Sequence, residues 1–477
     1  MMDSFFGHPR GLSTLFFTEM WERFSYYGMR AILILFMVAT VSSGGLGFSD
    51  SKAGAIYGLY TSVGYLLCLP GGWIADRVLG QRKAVLYGGI IIALGNFSLA
   101  VPSITAFYAG LVLVAIGTGL LKPNVSTIVG QLYEPGDHRR DAGFSIFYMG
   151  INLGAFLSPL ICGWLAQRIN WHYGFLASGI GMTSGIIQYL AGQRHLGAAG
   201  QEPATGAAER AKSRRIVLWS ALAVLALVAL AFSGVLQVSA EQVANVFAFG
   251  LTGVVVVVFV VLMLDKSYDH HEKNRILAIF VLFVGAALFW AAYEQAGSTL
   301  NLFAERSTRL DFAGHGFPAS WFQSLNSLYI FALAPVFAWL WVWLGSKDPS
   351  SPTKFALGLI FVGLGFAILV PIAGMKNVSP LWLAATYFLH TVGELLLSPV
   401  GLSAMTKLAP ARIAGLMMGV WFLATSVGDF ISGRLASFYS SFSLPVLFGI
   451  VAGFAIAVGL IMGLLVKPMK RLMGGVN

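Results

Sequence analysis

Glu19, Glu22, Arg23, Tyr26, Tyr27 and Arg30 fall within an arc of about 140° if their segment is one helix turning 100° per residue. In that stripe two carboxylates flank a guanidinium, a grouping able to take up and release a proton because the cation offsets one negative charge. A stack of ion pairs that only locks helices together is the competing reading. Further along, Lys122 precedes Pro123 and Asn124, so its helix is expected to bend there. Glu294 shares a face with Trp290, Gly297, Ser298 and Asn301, and Glu394 lines up with His390 and Ser398 at four-residue spacing. Asn152 and Asn326 each carry an amide that needs either an interhelical hydrogen bond or a bound solute. Trp421 and Phe422 serve packing or a pocket, and Asp429 with Arg434 adds a further charge pair.

The elements that hold these groups are apolar. Hydrophobic residues make up 57% of the chain and charged residues 10%, against roughly 25% charged in a soluble domain. Spans are expected near 14 to 40, 52 to 75, 83 to 101, 104 to 132, 142 to 166 and 172 to 192. A polar linker with the basic cluster Arg210, Lys212, Arg214 and Arg215 follows, then two spans near 216 to 236 and 243 to 265, the second reading as lipid-facing through Val254 to Val258. Six more run near 276 to 303, 319 to 344, 354 to 373, 380 to 408, 412 to 440 and 444 to 466, giving an all-α integral membrane protein of 14 spans. The first span carries charges where a signal peptide needs a clean apolar region, so it is expected to be retained.

Basic residues fall unevenly between the two sets of loops. One set holds Arg77, Arg82, Lys83, Arg139, Arg140, Lys347, Lys354, Arg412 and the linker cluster; the other holds Lys52, Arg168, Arg306, Arg309 and Lys376. By the positive-inside rule both termini and the linker are cytoplasmic. The net charge of +10 thus reports topology, and no nucleic-acid partner is expected. Nine ionisable groups remain at membrane depth: Glu19, Glu22, Arg23, Arg30, Lys122, Glu294, Glu394, Asp429 and Arg434. Unpaired, at roughly 3 kcal/mol each, they would cost on the order of 25 kcal/mol. They must pair, protonate or line water. Cys68 and Cys162 are read as packing residues, and His8, His172, His195, His270, His271 and His315 as solvated. No metal spacing, Walker A sequence or dinucleotide fingerprint occurs, so neither a cofactor nor enzymatic activity is expected, and transport energy has to come from an ion gradient.

The run Glu19-Met20-Trp21-Glu22-Arg23-Phe24-Ser25-Tyr26-Tyr27-Gly28 matches every fixed position of E-x-x-E-R-F-x-Y-Y-G, the signature of the proton-dependent oligopeptide transporters of the major facilitator superfamily. The segments 147 to 154, 393 to 403 and 71 to 83 resemble further motifs of that family or superfamily, and the likeness covers essentially the whole chain. It implies two six-helix bundles, at 1 to 193 and 276 to 477, with a linker and two extra helices at 194 to 275, working by alternating access around a central cavity. It implies proton-linked roles for Glu19, Glu22, Arg23, Arg30 and Glu294, with protons as the coupling ion. It also implies that Arg23, Tyr27 and Lys122 take a peptide carboxylate, that Asn152, Asn326 and Glu394 take its amino group, and that Tyr26, Tyr60, Trp290, Trp421 and Phe422 line side-chain pockets. The expected partners are short peptides, protons and membrane lipid, in a prokaryotic cytoplasmic membrane. The alternatives are a symporter of the same fold for another anionic or drug-like solute, or a peptide-sensing receptor.

Overall fold

The computed structural model describes residues 4–474 apart from 135–136, 202, 204–205, 233–238, 313 and 411–413. Arg412 and the end of the span expected near 216 to 236 lie outside the described residues. Among those described, fourteen helical segments run in order: α1 (Gly11–Val38), α2 (Asp50–Leu79), α3 (Gln81–Leu99), α4 (Ile104–Gln131), α5 (Arg139–Arg168), α6 (Trp171–Gly192), α7 (Ala207–Phe232), α8 (Ala240–Leu264), α9 (His270–Ser307), α10 (Ala319–Leu344), α11 (Ser351–Ile372), α12 (Pro380–Leu408), α13 (Ala414–Ala436) and α14 (Leu444–Leu472). Short antiparallel pairs join Ser4–Phe5 with His8–Pro9 and Asp311–Phe312 with His315–Gly316.

The helix starts follow local chemistry. Asn170 accepts from the His172 N–H at 2.9 Å, and Asp269 and Glu272 form a reciprocal capping box at 2.7 and 3.0 Å. Pro352, Pro380 and Pro445 sit in first turns, where no N–H donor is required. Nine of the segments are long and apolar enough to cross a membrane on hydropathy alone. The first helix is not among them because of the charges it carries, although Glu19, Glu22, Arg23 and Arg30 are all buried.

The chain forms two compact units. One comprises Met1–Arg30 with Val63–Val243, the other Ala31–Ser62 with Ala244–Asn477, so α1 and α2 each contribute to both. In the first unit α3 and α4 meet at backbone distance. A Cβ on Gly95 would lie 2.9 Å from the Gly110 carbonyl oxygen, and one on Gly88 2.8 Å from that of Gly117. Such contact is how small residues replace the hydrophobic drive that lipid cannot supply.

In the second unit, Asp50 at the start of α2 receives both Arg306 guanidinium nitrogens, at 2.7 and 2.8 Å, and the Ser440 hydroxyl. Ser437 donates to the Ser51 carbonyl at 3.1 Å, and Asn301 to that of Ala31 at 2.8 Å. Arg306 was sorted from the sequence as a loop charge; here it is half of a forked ion pair. Lys354 differs in the same way, with its ammonium buried 2.7 Å from Asp348 and 4.0 Å from the centre of the Trp341 ring. His8, expected in solvent, is buried and lies 3.0 Å from the Tyr133 hydroxyl. In the stretch Val254 to Val258 of α8, Val254, Val256 and Val257 are exposed and Val255 and Val258 half-buried.

Candidate functional site

In the first unit the signature helix is gripped from two sides by glycine. A Cβ on Gly154 would lie 2.9 Å from the Phe24 backbone nitrogen and 3.0 Å from the Arg23 Cβ, and one on Gly150 would lie 3.0 Å from Phe16. Gly185 of α6 stands equally close to the Cβ of Trp21, and Gly28 of α1 to the sulfur of Cys162. The segment Phe147 to Gly154 therefore has a physical task, to let α5 reach the backbone of α1 beside Arg23.

That packing buries the charge cluster. The Arg23 Nε is 3.0 Å from a Glu19 oxygen and also donates to Glu22 Oε2, with all three side chains at most 4% exposed. Glu19 Oε2, Glu22 Oε1 and Arg23 Nη2 are buried without a hydrogen-bond partner among the described residues. Two carboxylates thus share one cation and keep an acceptor each, while the guanidinium keeps a donor. Aromatic faces surround the cations. Arg23 lies 5.3 Å from the Tyr26 ring centre and 6.0 Å from that of Tyr27, and Arg30 lies 5.6 Å from Tyr27. Lys122 sits 3.5 Å from the Tyr65 ring centre, with Tyr26 at 6.0 Å. Tyr65 was missed from the sequence; its position in α2 carries no motif that would single it out. Asn152 spends its Nδ2 on the Tyr148 carbonyl of its own helix at 3.0 Å. The amide oxygen keeps its acceptor capacity.

In the second unit Glu394 is the centre. Its Oε2 accepts from the Tyr293 hydroxyl at 2.6 Å and from Asn326 Nδ2 at 2.9 Å, and the same Asn326 nitrogen lies 3.1 Å from Thr391 Oγ1. Oε1 has no hydrogen bond among the described residues. Tyr293 was also missed, although its place three residues after Trp290 was a usable signal. Trp290 itself is buried with its indole nitrogen unpartnered, and its ring centre lies 5.3 Å from that of Tyr293. Glu294 is buried at a break in α9: the helix His270–Tyr293 gives way to a tighter turn, Glu294–Gly297, and resumes at Thr299. A continuous span was expected there. Gly297 and Ser298 in succession are the residues that permit the break.

Tyr60 is buried, Trp421 packs its ring against Gly401, and Phe422 is half-buried. The Gly393 to Ser403 segment thus gains its meaning from close approach, since a Cβ on Gly393 would lie 2.8 Å from the Gly358 carbonyl oxygen. His390 does not join Glu394. Its ring is packed against Phe366 at 5.1 Å and the backbone of Gly365. Asp429 is buried and Arg434 half-buried.

Comparison with known proteins identifies the family. The family model described as the POT family matches residues 82–450. The chain is 42% identical to the peptide transporter YePEPT of Yersinia enterocolitica, covering 98% of this chain and 96% of that one. It is 39% identical to a di-/tripeptide transporter of Lactococcus lactis, with 99% and 98% covered. A crystal structure of a peptide transporter POT in complex with alafosfalin superposes with a TM-score of 0.92 at 44% identity, over 99% of this chain and 97% of that one. With the fold thereby that of the major facilitator superfamily, the chain belongs to the POT family, the proton-dependent oligopeptide transporters whose signature its first helix carries.

Proposed function

We propose that the protein is a proton-coupled symporter that imports di- and tripeptides into a bacterial cell by alternating access. The observation that carries this reading is the buried Glu19, Glu22 and Arg23 cluster, whose two carboxylates share one guanidinium and keep unpartnered polar atoms. With one proton bound the three groups are neutral together; without it they hold a net negative charge in a buried site, which invites either a proton or a cationic partner. Glu294 and Arg30 are assigned to the same proton path. Arg23, Tyr27 and Lys122 are assigned to the peptide carboxylate, and Asn152, Asn326 and Glu394 to the amino group. Tyr26, Tyr60, Trp290, Trp421 and Phe422 are assigned to side-chain contacts. Protons are the coupling ion and no further cofactor is assigned. The names of the relatives, peptide and di-/tripeptide transporters, support the substrate class.

Reconstituted in liposomes with an acidic exterior, the protein is expected to concentrate labelled dialanine above its external level, and a protonophore should abolish the gradient. Binding without accumulation would make it a receptor. Accumulation of some other anion that dialanine does not compete with would make the solute wrong and the fold right.

The same reading places both termini and the segment 194 to 215 on the cytoplasmic side of the inner membrane, from the excess of Arg and Lys in those loops. Both native cysteines are buried, so a cysteine introduced at the exposed Gln201 provides an accessible probe. An impermeant maleimide is expected to leave it unlabelled in intact cells and to label it once they are permeabilised. Labelling in intact cells would invert the topology.

A further inference from the structure

The first turns of α7 carry a feature that peptide transport does not use. Ala208, Ala211, Lys212, Arg215, Trp219 and Ser220, with Ile216, line an open groove of about 660 Å³ on the helix surface. Their spacing puts them on one helix face. The two alanines leave the room, and the two cations stand one turn apart at its edge. Neither Lys212 nor Arg215 makes an ion pair or hydrogen bond among the described residues. Their neighbours on α7 are already engaged: Glu209 pairs with Arg77, and Arg210 donates to the Pro203 carbonyl at 3.0 Å. Two cations are therefore presented together with no acid on this helix face to answer them.

The next turns show which environment they face. Trp219 is 69% exposed, and Leu218, Leu222, Val224 and Leu225 beyond or beside it are exposed as well. An indole is the side chain of the membrane interface, and exposed Leu and Val belong against acyl chains. Arg215 precedes Trp219 by four residues, about 6 Å along the helix, close to the depth of one headgroup layer. A cation pair at headgroup level, an indole below it and apolar surface below that follow the order of a phospholipid's own parts.

We propose that this face of α7 binds the headgroup of an anionic phospholipid, with Lys212 and Arg215 on the phosphodiester, Ser220 and the Trp219 indole near the glycerol, and the acyl chains along the exposed apolar residues. A zwitterionic headgroup brings its own ammonium towards the two cations and is disfavoured. A lipid whose only charge is the phosphate is preferred.

Native mass spectrometry of the full chain with dioleoyl phosphatidylglycerol, against dioleoyl phosphatidylcholine, tests this. The double variant Lys212→Gln with Arg215→Gln should bind phosphatidylglycerol about thirtyfold more weakly, from roughly one interfacial charge contribution per residue removed. Lys266→Gln with Lys273→Gln, a basic pair elsewhere in the loops, should bind it as the unmodified protein does. The charge-preserving exchange Lys212→Arg with Arg215→Lys should also retain binding, and dialanine uptake by each preparation reports that it is folded. Millimolar inorganic phosphate should fail to displace the lipid. The proposal is overturned by unchanged phosphatidylglycerol affinity in the first double variant. An equal loss in the Lys266 and Lys273 variant would overturn it in favour of a diffuse surface field, and displacement by phosphate in favour of a free-anion site.

Discussion

N-acetylation of dialanine is expected to weaken its competition for uptake at least thirtyfold, because Glu394, the proposed partner of the peptide ammonium, has one oxygen without a hydrogen bond among the described residues. Oε2 is already occupied by the Tyr293 hydroxyl and the Asn326 amide, which fix the carboxylate from one side. Oε1 has no such donor. A peptide ammonium would supply it, and acetylation replaces that ammonium with a neutral amide, leaving a half-buried carboxylate unanswered. Truncating one partner of such a pair costs roughly 2 to 5 kcal/mol, and the lower end is already about thirtyfold. Amidation of the peptide carboxylate should be costly through different residues. Arg23 keeps an unpartnered Nη2, and the ammonium of Lys122 rests on the Tyr65 ring with no acid paired to it among the described residues. Lys122→Ala should accordingly blunt the amidation penalty and leave the acetylation penalty intact, while Glu394→Gln should do the reverse. Tyr293→Phe removes one of the two donors that aim Glu394 and should give an intermediate loss for the free peptide. The measurement is competition uptake of dialanine, its N-acetyl form and its amide in liposomes at one pH. Equal inhibition by all three on the unmodified protein would remove the assignment of the peptide ends and favour another solute.

What the sequence discloses and what it withholds divide along a physical line. Membrane class, the stripe on α1 and the positions of Glu294, Glu394, Lys122 and Asn152 follow from hydropathy and helical spacing, which depend on residues close together in the chain. Partners do not. The bond from Tyr293 to Glu394 joins residues 101 apart, and the fork from Arg306 to Asp50 joins residues 256 apart. Periodicity gives the face on which a side chain stands and says nothing of the helix opposite. His390 shows the cost of reading a face as a contact, since four-residue spacing aligned it with Glu394 while its ring turns into the space beside Gly365. Arg306 and Lys354 show the same limit, since both were sorted only as loop charges and the acid that each pairs with was not legible. Arg306 remains exposed while it forks onto Asp50, whereas Lys354 is buried beside Asp348. The break in α9 was hidden by its surroundings. An apolar stretch interrupted by Gly297 and Ser298 satisfies a hydropathy window, while the backbone is free to leave the helical path there. The glycines are the reverse case, visible as motif positions and explained only by what a Cβ would meet.

Glu22→Gln is expected to abolish proton-driven accumulation while peptide exchange survives. The substitution is nearly isosteric, and its amide oxygen can still accept from Arg23, so the packing of α1 against α5 need not change. What it removes is the second negative charge. In the native cluster Glu19 and Glu22 share Arg23, and binding one proton changes the net charge of the three from negative to neutral. With glutamine at position 22, Glu19 and Arg23 are neutral without a proton, so protonation no longer relieves a buried charge and the cycle loses its coupling step. The energetic consequence is large. One charge moving through 100 mV supplies about 2.3 kcal/mol, which sustains roughly fiftyfold accumulation before any pH gradient is added. Uptake by the variant should stop at equality of internal and external peptide. Exchange of labelled for unlabelled dialanine needs no net proton movement and tests the remainder of the cycle in the same liposomes. Loss of both activities would mean that the substitution damages the fold or the binding step. Unchanged acid-driven accumulation would remove Glu22 from the coupling mechanism, and the same pair of assays on Glu19→Gln would then decide whether the other carboxylate carries the proton alone.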